Sequence, residues 1–183
     1  MRQSIVETWY KWAQEFFCDA VGLSIGGPAF LNAFSEYLGR LQPADYVRQA
    51  PDLHGSSHPV SWLRIRLLAE RAERAGFARD AETMLAHWSG AASLLHVKED
   101  HYGFYTDALK TPLVQTVDDM TVEAAPYLCS QDEAAGSGWE VGSTKLIALL
   151  NEAWLRYSDD PQSYVIWESS VLEQVYGLGA RIA

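Results

Sequence analysis

Two pairs of side chains in this chain are of the types that do chemistry. Glu15 and Asp19 end the stretch Glu15-Phe16-Phe17-Cys18-Asp19, and a four-residue step puts both carboxylates on one helix face. That face borders an aromatic stripe beside Trp12, where a carboxylate can point into a groove between helices. The second pair, His58 and Arg64, lies in His58-Pro59-Val60-Ser61-Trp62-Leu63-Arg64-Ile65. The imidazole stands at the mouth of a loop, and the guanidinium one and a half turns into the helix that follows. Carboxylate and imidazole groups bind metals and carry protons, while a guanidinium pairs with an acidic neighbour. The plain alternative is an acidic helix edge in solvent and a histidine that only serves a turn.

Other stretches offer less. His54-Gly55-Ser56-Ser57-His58 presents two imidazoles that Glu15 could complete as a metal site, but histidines in such loops usually face solvent. The run His96-Val97-Lys98-Glu99-Asp100-His101-Tyr102 mixes donors and acceptors, as a polar helix end also would. Gly22, Gly26 and Gly27 fit neither a dinucleotide fingerprint nor a P-loop. Gly136-Ser137-Gly138 is too short for a nucleophile elbow. Trp139, in a loop, is a candidate contact for a partner.

Taken together, Glu15-x-x-x-Asp19 followed by His58-Pro59 and Arg64-Ile65 resembles zinc metallopeptidases of the gluzincin type, the heat-shock membrane peptidase and CAAX prenyl protease family. The resemblance spans about residues 9 to 70. It implies that Glu15 is the third zinc ligand and Asp19 the carboxylate that orients a zinc-bound histidine. It also implies that His58 steadies the oxyanion of the tetrahedral intermediate, and that Arg64 holds the loop or pairs with an acidic residue. Catalytic zinc further needs two histidines and a general base, which that family takes from an HExxH helix upstream. No histidine precedes Glu15, and none of the five histidines begins an HExxH. The expectation is therefore a metallopeptidase-like domain, inactive by itself, in which zinc binds only if a separate HExxH-bearing segment completes the site. The competing expectation is a non-enzymatic helical module that binds a protein or peptide through an aromatic groove, without metal.

The elements that position these residues are helices. Trp9, Trp12, Ala13, Phe16, Ala20 and Leu23 recur in steps of three and four. Gly26-Gly27 should end that helix and Pro28 open the next, which Gly39 closes. A short helix is expected over Ala44–Gln49 and a loop over Ala50–Pro59. Ser56 or Ser57 should cap a helix running to Gly76. Further helices are predicted over Asp80–Leu95 and Pro112–Ala125, then a loop over Ser130–Gly142. A helix capped by Ser143 or Thr144 follows, and a last one runs from Pro161 to near Gly177. No segment alternates with period two. The fold class is all-α, one irregular bundle of seven to nine helices spanning residues 1–183, with the motif region in 1–76 and a helical extension in 77–183.

The chain has 183 residues, 48% of them apolar, including seven Trp and nine Tyr; this is enough for one core and short for two. A formal net charge of −10 opposes nucleic acid and anionic membrane surfaces as partners. Cys18 and Cys129 form no CxxC pair, and reduced thiols are expected. No signal peptide is visible, and Gly26-Gly27-Pro28 interrupts the most apolar stretch, so a cytoplasmic protein without membrane spans is expected. A domain lacking its usual cover should also expose apolar surface that a second copy, in a homodimer, would bury.

Overall fold

The computed structural model describes residues 2–39, 42–47, 56–97, 107–124, 127–136 and 145–182. Among them every regular element is helical and none is a strand, as the periodicity predicts. In order these are α1 (Arg2–Leu38), a 3-10 turn (Pro43–Asp45), α2 (Ser61–Arg74), α3 (Ala78–Leu94), α4 (Asp107–Ala124), α5 (Gln131–Ala134), α6 (Leu146–Asp159) and α7 (Pro161–Ile182). Helix α1 is the spine: α2, α3, α4, α5 and α6 all pack on it, while α7 packs on α6.

The two helices expected on either side of Gly26-Gly27-Pro28 are present as the two halves of α1, joined across a kink at Gly27. Gly27 has φ 58, a region glycine enters without the Cβ penalty, and a Cβ there would lie 2.6 Å from Cys129 Sγ. Pro28 has no N–H, so the Ser24 carbonyl loses its helical donor; the Cys129 amide donates to it instead, at 2.7 Å. The break also frees the Gly26 carbonyl and the Ala29 amide. Asn151 of α6, fully buried, joins to both: Oδ1 accepts from Ala29 N at 2.9 Å and Nδ2 donates to Gly26 O at 3.1 Å. The kink is therefore closed by two distant segments, which leaves its buried polar groups satisfied.

Two buried clusters flank the spine. Trp12, Phe16 and Ala20 pack with Val60, Leu63 and Val117. Leu23 and Leu31 join Ile65, Leu68, Met84 and Trp88. Burial of each such Leu, Ile or Phe contributes about 1.5–3 kcal/mol. Tyr46, Trp62 and Trp88 meet with ring centroids 5.6–6.3 Å apart. The Tyr46 hydroxyl donates to the Trp88 carbonyl and the Trp88 indole to Ser35 Oγ. Ion pairs of Arg71 and Arg74 with Asp118, and of Lys110 with Glu70, tie α4 to α2.

Several expected boundaries are corrected. Helix α2 starts at Ser61 behind Val60, with no side-chain cap, so neither Ser56 nor Ser57 caps it; Ser56 Oγ donates to the His58 carbonyl instead. It ends as expected at Gly76, φ 92, in a Schellman turn with Phe77 N donating to Ala72 O. In place of a helix from Ala44 there is the 3-10 turn, which is not continued at Tyr46 and Val47; residues 48–49 of the expected helix lie outside the described residues. The stretch read as a loop from Ser130 contains α5, held by a capping box: Ser130 Oγ accepts from Glu133 N, and the Glu133 carboxylate accepts from Ser130 N. Helix α4 begins at Asp107, ahead of Pro112, and α7 runs through Gly177 to Ile182. Lys145 is the N-cap of α6, with no side-chain capping bond to the first turn, and Ser143 and Thr144 lie outside the described residues. By length and composition alone Val6–Leu38 would suffice to cross a membrane, despite the Gly-Gly-Pro interruption. Its apolar inner face is what the other helices pack against.

Candidate functional site

Helices α1 and α2 meet where their polar residues face each other, and all four sequence-selected side chains converge there. Arg64, from α2, donates through Nε to Asp19 Oδ2 at 2.9 Å and through Nη2 to Asp19 Oδ1 at 2.6 Å. Its remaining nitrogen, Nη1, lies 3.1 Å from Glu15 Oε2. The other oxygen of Glu15 is 3.1 Å from His58 Nδ1. The result is a chain of contacts, His58–Glu15–Arg64–Asp19. Residue spacing explains it: the i,i+4 carboxylates stand one turn apart on α1, and the planar guanidinium spans them as a fork.

Three further contacts set the geometry. The Trp12 indole donates to the Ser56 carbonyl at 3.3 Å, docking the loop that carries His58 onto α1. Ser61 Oγ donates to Asp45 at 3.3 Å, tying the start of α2 to the 3-10 turn. The Arg64 guanidinium also lies over the Phe34 ring, 4.8 Å from its centroid. Along an unbroken helix Asp19 and Phe34 would be about 22 Å apart at 1.5 Å per residue. Both touch Arg64 because the Gly27 kink turns α1 back on itself. One glycine at positive φ thus builds the site.

Exposure decides how each member behaves. Side chains of Asp19 and Arg64 are 6% and 12% exposed, whereas His58 is 61% exposed. Burial pushes the Asp19 carboxyl above its ordinary pKa, and the Arg64 hydrogen bond and charge pull it partly back. Burial alone would lower Arg64, but the hydrogen bond and charge of Asp19, followed by the charge of Glu15, raise it, so the guanidinium stays charged. The cavity beside Asp19 and Arg64 holds about 30 Å³, the volume of one water, and admits no peptide.

These contacts bear on the zinc role the resemblance implies for Glu15. A zinc ligand must present a free oxygen, and both Glu15 oxygens already face His58 and a permanent cation. Asp19 orients Arg64 rather than a histidine. Among the described residues no group of three His, Cys, Asp or Glu side chains is arranged to hold a metal. The present geometry does not fit zinc at Glu15. His54, Glu99, Asp100, His101 and Trp139 lie outside the described residues.

A second feature lies on the other side of the spine. Helices α1, α6 and α7 enclose an open groove of about 680 Å³, walled by Ile25, Phe30, Ile147, Leu150, Trp154, Tyr157 and Tyr164. Gly22 and Gly26 keep its floor low; a Cβ on either would collide with Phe30. Ile147, Leu150 and Trp154 recur at helical spacing in the sequence, which marks an apolar helix face but not a groove. The buried Asn151 was missed as well. Its signal was a polar residue at an inward position of that same face, between Ile147 and Trp154. Comparison with known proteins adds no relative: no family model, no curated protein and no solved structure matches this chain.

Proposed function

We propose that this chain is a helical protein-binding domain that takes an apolar peptide segment into the α1–α6–α7 groove and performs no catalysis by itself. The observation that carries the reading is the groove: about 680 Å³, apolar and aromatic, with Leu150 55% exposed. Exposed contiguous apolar surface on a water-soluble fold marks an interaction site, and grooves between helices receive the apolar face of a partner helix. Titrating a fluorescent amphipathic Leu/Ala peptide into the protein tests this. Leu150→Asp should weaken binding at least about tenfold, as expected for a charge facing a desolvated anchor, with an unchanged far-UV circular dichroism spectrum. Equal affinity for both proteins would sink the reading.

The peptidase-like reading keeps one supporting observation, the direct contact of Glu15 with His58. In it, a separate HExxH-bearing segment would bring the other zinc ligands and Arg64 would release Glu15. Stoichiometric zinc in the purified protein, lost on Glu15→Ala, would favour it over the groove reading.

A further inference from the structure

The geometry points to a second binding site, for a small carboxylate with an apolar body, held by Arg71 and Arg74 in the cavity between α2, α4 and the segment before α5. This cavity shares no lining residue with the α1–α6–α7 groove. One wall is residues 128–131, held against α1 because the Cys129 amide donates to the Ser24 carbonyl. The space enclosed is about 430 Å³, within the roughly 300–1,000 Å³ of small-ligand sites. Leu23, Phe77, Val122 and Leu128 supply its apolar surface, and Arg71, Arg74 and Asp118 its charge. Val122 and Leu128 are 72% and 69% exposed, so the mouth of the cavity is apolar too.

The charges inside do not balance. Arg71 and Arg74 stand one turn apart on α2 and share a single carboxylate, Asp118. Among the described residues no other acid pairs with either of them. Glu70 is paired with Lys110, and Glu133 accepts from Ser130 N and from the Tyr127 hydroxyl. Nor does the end of α2 engage the guanidiniums: the Arg71, Ala72 and Glu73 carbonyls accept from the amides of Ala75, Phe77 and Gly76. Burial pushes Arg71 below its ordinary pKa; Asp118 opposes this, and the like charge of Arg74 adds to it. Arg74 touches Asp118 through Nη2 alone, 3.3 Å from Oδ2, which leaves Nε and Nη1 as donors for a second anion. Two cations and one anion leave one positive charge, which suits a carboxylate better than a more highly charged phosphate. Polyanions are repelled by the net charge of −10, whereas a small anion with an aliphatic body satisfies both the arginines and the apolar wall.

Calorimetric titration of the full chain with octanoate, octanol and inorganic phosphate tests the assignment. Octanoate should bind at least about tenfold tighter than octanol, which keeps only the apolar body, and than phosphate, which keeps only the charge. Arg74→Gln, at a half-exposed position, should weaken octanoate at least about tenfold, the worth of a hydrogen bond to a charged group, with an unchanged far-UV circular dichroism spectrum. Leu150→Asp, in the separate groove, should bind octanoate as the parent does. Absence of octanoate binding overturns the proposal, and so does equal affinity for octanol or phosphate. Equal octanoate affinity in Arg74→Gln and the parent overturns it as well. Loss of octanoate binding in Leu150→Asp would do the same, by placing the ligand in the groove.

Discussion

Arg64 is the side chain on which the α1–α2 junction depends, and its environment predicts unequal mutant costs. Removing it by Arg64→Leu leaves Asp19 buried without its partner, which costs about 3–5 kcal/mol in other buried pairs. Arg64→Lys keeps the charge but loses the fork and should fall between that variant and the parent. His58→Ala, at an exposed position, should cost less than about 0.5 kcal/mol. Urea unfolding of the three variants gives the order directly. The cysteines differ in the same way. Cys18 is exposed and Cys129 buried, and burial, with the Glu133 charge second, pushes the Cys129 thiol up to about 11. Iodoacetamide at pH 8 should label Cys18 and spare Cys129 until the protein unfolds. Because the folded value lies above the ordinary 9.0, the folded state binds this proton more tightly. The stability contributed is present below pH 9 and fades as pH rises toward 11.

Helix α1 performs two tasks because it is broken. Its first half carries Glu15 and Asp19, its second half carries Phe34, and the kink brings both to Arg64. Asn151 holds that kink, so Asn151→Ala leaves the Ala29 amide and the Gly26 carbonyl without partners in a buried place. A loss of about 2–4 kcal/mol is expected, together with faster hydrogen exchange at the Ala29 amide. The sequence signal for the break, Gly-Gly-Pro, was plain. The angle at which the second half leaves the first was not, because the groups that close the kink come from Cys129 and Asn151, more than a hundred residues away in the chain. The capping box of α5 was equally legible as Ser130-x-x-Glu133, though the surrounding acidic, glycine-containing stretch read as a loop.

For the molecule as a whole, the two faces of α1 divide polar from apolar work. One face spends its charged residues on an internal network, and the other leaves an apolar groove open. A network already satisfied by Arg64 gains nothing from metal, so neither excess zinc nor EDTA should move the Tm by thermal denaturation. A metal that bound the folded chain alone would raise it. The groove, in contrast, should respond to an apolar peptide through the fluorescence of Trp154, which lines it.

Helical class and most helix positions could be read from the chain alone, since three- and four-residue apolar spacing and Gly or Pro breaks are local properties. The choice of Glu15, Asp19, His58 and Arg64 was local too, resting on residue types and helix faces. Their joint chemistry was not, because whether a carboxylate opens toward a metal or closes on a guanidinium depends on which helix crosses it, and at what height. Contacts between residues 45 positions apart fixed that, and the same packing of distant helices opened a groove that no single helix encodes.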